Sequence, residues 1–128
     1  MSYHFSKIIV SPMDKAIDLV TRALAAKGFG VLTTIDVAAT LKKKLDVEFR
    51  PYVILGACNP GFAYEALQNE SRIGTMLPCN VILQQIDDRH IEVSAVDPVA
   101  SMQAIDNPGL ASIAGQVRDL LKQSVEGL

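Results

Sequence analysis

Tyr52-Val53-Ile54-Leu55-Gly56-Ala57-Cys58 is an unbroken apolar run, followed at once by Asn59-Pro60. A run of this kind is the pattern of a strand covered on both sides or lying at the centre of a sheet. Asn59 fits a helix N-cap, and Pro60 fits the first helical position, where its missing N–H costs nothing. A helix is therefore expected to about Glu70, with Ala63, Ala66 and Leu67 facing inward. Gly74 and Pro78 mark the return of the chain.

Downstream, Asn80 to Ile86 and His90 to Val96 read as strands joined through Asp87-Asp88-Arg89, a spacing that favours an antiparallel hairpin. Ile91, Val93 and Ala95 alternate with His90, Glu92 and Ser94, so one side of this strand is expected to meet water or a partner. Asp97-Pro98 starts a short helical turn through Met102 and Ile105. Asn107-Pro108-Gly109 then starts a last helix, with Leu110, Ile113, Ala114, Val117, Leu120 and Leu121 as its core stripe.

Upstream, Tyr3 to Val10 is β-branched and apolar enough for a strand. Ser11 fits an N-cap with Pro12 as the first helical position, and Met13, Ile17, Val20 and Leu24 share one face. Gly28 ends that helix, and Phe29 to Ile35 reads as a strand. Asp36 then caps a short helix whose apolar stripe is Ala38, Leu41 and Leu45, with Lys42, Lys43 and Lys44 on its wet side. The reading is a single α+β domain spanning residues 1–128: about five strands, two long helices and short helices inserted between strands.

The 128 residues are 49% hydrophobic, enough for a full core. No apolar run approaches the roughly 20 residues a membrane helix requires, and no charged leader opens the chain. A soluble, cytoplasmic protein with no membrane partner is expected. With a formal charge of −2 and 5% aromatic residues, the chain offers no footprint for nucleic acid. Two cysteines in so apolar a chain are expected as free thiols rather than as a staple.

Both cysteines stand beside asparagine and proline, as Cys58-Asn59-Pro60 and Pro78-Cys79-Asn80. Asn59-Pro60-Gly61 recurs as Asn107-Pro108-Gly109, a pattern explained by helix initiation, but Asp106 stands where Cys58 stands. A sulfur just before a helix N-terminus receives amide hydrogen bonds and the positive end of the dipole, which favours the thiolate and makes Cys58 the candidate nucleophile. The alternative is that either cysteine packs as a small hydrophobe. If the 60–77 segment joins antiparallel neighbours, Cys58 and Cys79 lie at one end of the sheet and can share a pocket. The candidate ligand-binding residues are Cys58, Asn59, Pro60, Cys79 and Asn80.

Other chemistries lack their residues. There is no C-x-x-C or paired-histidine motif, so no metal is expected. Gly28-Phe29-Gly30 follows a helix and opens a strand, the reverse of the nucleotide-binding order, so no cofactor is expected. His90, Glu92 and Ser94 project in parallel from one strand, roughly 7 Å apart, rather than converging as a triad.

The stretch Tyr52 to Pro60, then Leu77-Pro78-Cys79-Asn80-Val81, then Asp97-Pro98, resembles the bacterial and archaeal family called domain of unknown function 302, as do Gly28-Phe29-Gly30-Val31 and Asp36-Val37. The resemblance implies a curved antiparallel sheet similar to half of the TATA-binding-protein saddle, and a homodimer. It implies neither DNA binding nor any enzymatic activity. Two functional readings follow. One is a small-ligand or sulfur-handling pocket at Cys58 and Cys79, with Cys79 as neighbour or resolving thiol. The other is a dimeric interaction module in which both cysteines are structural and the His90, Glu92 and Ser94 face contributes to a subunit contact.

Overall fold

The structure is a computed structural model that describes residues 2–128. In chain order it runs β1 (His4–Val10), α1 (Met13–Ala26), β2 (Gly30–Asp36), α2 (Val37–Leu45), β3 (Tyr52–Cys58), α3 (Pro60–Asn69), a 3-10 turn (Ile73–Met76), β4 (Cys79–Gln85), β5 (His90–Val96), α4 (Pro98–Ser101) and α5 (Pro108–Glu126). The five strands form one antiparallel sheet in the order β1-β5-β4-β3-β2. β4 is thus central, and the first two strands of the chain are its edges.

Alternation along each strand divides the sheet into two unlike faces. Leu55, Val81, Leu83, Ile91, Val93 and Ala95 point to one side and are buried. Helix α1 covers them with Ala16, Val20 and Leu24, and α5 with Leu110, Ile113, Val117 and Leu121. Each of these larger aliphatic side chains contributes roughly 1.5–3 kcal/mol by leaving water. The other face, bearing Ile8, Ile35, Ile54, Ile82 and Glu92, has no helix over it; Ile8 is 52% exposed and Ile35 47%.

Local chemistry places the elements. At the end of α1, Gly28 takes φ +88°, where an L side chain is strained. The Gly28 amide bonds the Ala25 carbonyl, and the Phe29 amide reaches back to Leu24, a Schellman ending that turns Phe29 into the core. The β4–β5 turn is held by Asp87, whose Oδ1 accepts from the amides of Arg89 (2.8 Å) and His90 (2.9 Å) and lies 2.7 Å from His90 Nδ1. The Arg89 amide first, then the His90 ring, hold the Asp87 carboxyl below its usual range. Asp36, Asp97 and Asn107 cap α2, α4 and α5 by accepting from Ala39, Val99 and Leu110.

Several expectations shift. Helix α1 starts at Met13 with Pro12 as its cap, because the Ser11 hydroxyl donates to the Pro12 carbonyl, 2.8 Å away, rather than to the first turn. Asn59 stands at the cap of α3 with Pro60 at the first helical position, yet its side chain makes no capping bond. It packs against Gly28 instead, where an added Cβ would meet its Nδ2 at 3.0 Å. The stripe on α2 is not buried: Leu45 is 66% exposed, and no residue of that helix is enclosed. Ser94 is buried rather than wet, because its hydroxyl pairs with that of Ser6, 2.7 Å away on the neighbouring strand. Tyr3 and Phe29 fall just outside their strands, and β4 begins at Cys79 rather than Asn80.

Candidate functional site

Strand β3 ends at Cys58 and α3 starts at Pro60, so Asn59 alone makes the corner. On the next strand Cys79 opens β4 directly opposite Ala57. The antiparallel register therefore puts both thiols at one end of the sheet, as diagonal neighbours. A narrow apolar cavity of about 40 Å³ lies there, between the sheet end and helices α3, α4 and α5. Both cysteines, Asn59 and Pro78 border it, and Phe29, Phe62, Leu77, Met102 and Ile113 supply much of its wall. Pro60 and Asn80 are not among its lining residues; both are exposed.

The two thiols differ in kind. Cys58 is half-buried at the rim, whereas Cys79 is buried and joins the hydrophobic cluster. Burial, with a smaller contribution from a charge on Cys58, pushes the Cys79 thiol up to about 11. Cys79 is therefore a neutral S–H near neutral pH, which removes the resolving-thiol role, since that role needs a thiolate. Alternation also directs the side chains of residues 57 and 79 to one face and that of 58 toward the other, so the geometry opposes a disulfide, and both cysteines are free.

The close fit beside Cys58 depends on Gly56. A Cβ there would collide with the Thr33 hydroxyl and meet Pro78 Cγ at 2.7 Å. Pro78, reached through a cis bond from Leu77, thus lies against the β3 backbone.

A second region lies on the uncovered face and was not legible as a unit. His4 Nδ1 is 2.7 Å from the Ser6 hydroxyl, which is 2.7 Å from the Ser94 hydroxyl, a relay across β1 and β5. It borders a cavity of about 360 Å³ that also touches Tyr52, Asn80, Ile82, Gln84 and Glu92. The period-two pattern His4, Ser6, Ile8 was the available signal; the pairing of β1 with β5 was not. The His90, Glu92 and Ser94 side chains do not converge: they bond Asp87, Gln84 and Ser6 respectively. Among the described residues no carboxylate holds the His4 ring, so the relay lacks the third member of a hydrolytic triad. Nor do any three His, Cys, Asp or Glu side chains among them gather as metal ligands, and no helix is long and apolar enough to cross a membrane.

Comparison with known proteins gives one consistent outcome. No curated protein matches the sequence. Among solved structures, a crystal structure of an uncharacterized conserved protein DUF302 from Bacillus stearothermophilus is similar over 98% of each chain, with 26% identity and a TM-score of 0.90. The sequence model of the family described as domain of unknown function DUF302 matches residues 6–128. A match over nearly the whole chain, with the fold shared from end to end, places this protein in the DUF302 family.

Proposed function

We propose that the chain binds a small ligand by its apolar end in the slot between Cys58 and Cys79. The observation that carries this reading is the cavity itself: apolar, open at its rim and bordered by both thiols. At about 40 Å³ it holds only a small group, on a scale where a water takes about 30 Å³, so the rest of the ligand would lie outside along Cys58 and Asn59. Cys58 is the sulfur that meets the ligand; Cys79, held neutral, shapes the wall. The two unbridged thiols support a reducing compartment, the cytoplasm.

Two measurements test it. Iodoacetamide on the native protein should add one adduct, at Cys58, with Cys79 modified only after denaturation. Xenon, which enters dry apolar cavities, should shift the methyl signals of Ala57, Leu77 and Ile113. Neither cysteine reacting, together with no xenon response, would reduce both to packing residues. A second reading, association as a homodimer, is supported by the uncovered face of the sheet and its exposed isoleucines.

A further inference from the structure

The uncovered face carries a polar chain that is acidic at one end and basic at the other. Gln84, on the central strand, donates from Nε2 to Glu92 Oε1 on β5 (3.1 Å) and accepts at Oε1 from Arg50 Nε (3.0 Å), which reaches in from the start of β3. Arg50 also lies over the Phe49 ring, 4.5 Å from its centroid, and 5.9 Å from that of Tyr52. The chain Glu92–Gln84–Arg50 therefore runs across the strands, with its midpoint on β4. Around it lie Ile8, Ile35, Ile54 and Ile82, and Phe49, 39% exposed, extends the apolar surface at the rim.

We infer that this face is covered by a second copy of the same chain, related by a two-fold axis lying parallel to β4 between the two sheets. This rests on the homodimer reading and specifies its surface. An axis in that position stacks β4 on its own copy, β5 on β3 and β1 on β2, because β4 is the middle of five strands. It reverses the polar chain left to right, so Glu92 of each copy faces Arg50 of the other, and two such pairs form. An in-plane axis at right angles to the strands would stack β5 on β5 and bring no acid to a base. Charge complementarity thus selects one of the two orientations.

The area is also adequate. Five strands of seven residues make a face of about 24 by 23 Å, roughly 550 Å² on each copy before side-chain relief is counted. The pair would bury about 1,100 Å², just above the roughly 1,000 Å² that marks a specific interface, and Phe49 adds to it. Ile82, in the middle of β4, sits close to the axis and meets its own copy.

Sedimentation velocity over a wide concentration range tests the proposal. Wild-type protein should sediment as a dimer. Glu92→Lys should raise the dissociation constant about 100-fold, since both symmetry-related pairs become repulsive, and adding Arg50→Glu should recover most of that loss. Circular dichroism shows whether each variant is folded. Ile82→Cys supplies an independent arm: mild oxidation should link two chains through that position, identified by peptide mass. A wild-type protein that stays monomeric throughout overturns both this inference and the homodimer reading. A wild-type dimer that ignores the charge swap and does not cross-link at position 82 overturns the inference alone, leaving a dimer formed through another surface.

Discussion

Cys79 and Gly56 show how narrow the tolerances are at the thiol end of the sheet. Because Cys79 gives up its proton only near pH 11 when folded, the native chain holds a proton that the unfolded chain releases near pH 9. The unfolded state then binds fewer protons, so stability falls as pH rises between about 9 and 11, by about 2–3 kcal/mol in all. Urea midpoints of wild type and Cys79→Ala should therefore converge across that window, while below pH 8 the wild type keeps its full advantage. At position 56 the expected effect is steric: Gly56→Ala forces Thr33 and Pro78 apart and should cost about 1–3 kcal/mol, read as a lower urea midpoint with an unchanged slope. The pairing of the two cysteines with asparagine and proline was plain in the sequence. Their different environments were not, because burial of Cys79 depends on α5, which arrives some thirty residues later and whose approach no local pattern reveals.

Helix starts were the most legible features and also the most instructive where they misled. Asn59-Pro60-Gly61 and Asn107-Pro108-Gly109 are the same three residues, yet only Asn107 accepts a capping bond, from the Leu110 amide at 3.2 Å, while its Nδ2 donates to the Asn69 carbonyl at 3.0 Å. Asn107→Ala should therefore cost about 1 kcal/mol or more, whereas any loss in Asn59→Ala should come from packing against Gly28 rather than from an unsatisfied α3 amide. Thermal melts of the two variants check the contrast. Asp97 does two jobs, capping α4 through the Val99 amide and pairing with Arg118 Nε at 3.2 Å from a buried position. Asp97→Asn retains the cap and loses the charge; Asp97→Ala loses both. The alanine variant should be the less stable, by about 2–4 kcal/mol relative to wild type, and the asparagine variant intermediate. Arg118 gave no hint of this partner in the sequence, since the two stand on different elements and meet only when α5 crosses the sheet.

Fold class could be read because its decisive signals are local. The spans Tyr52–Cys58 and His90–Val96 match the observed strands to the residue, and the three-residue connection through Asp87-Asp88-Arg89 joins neighbouring strands as its length requires. What local pattern cannot express is the closing of the sheet by its first strand. β1 pairs with β5, His4 opposite Val96 and Val10 opposite His90, and no residue near either strand in sequence announces the other. The same pairing explains why Ser94 is enclosed and why the His4 relay was missed. β2 to β5, by contrast, follow one another across the sheet in sequence order. During synthesis, then, the opening strand leaves the ribosome with no edge to join until the span His90–Val96 has followed it out. Pulse-labelling of amide hydrogens during refolding should find Phe5 to Ile9 protected after Val81 to Leu83, and a nascent chain arrested before residue 90 should leave that amino-terminal strand open to proteases or chaperones.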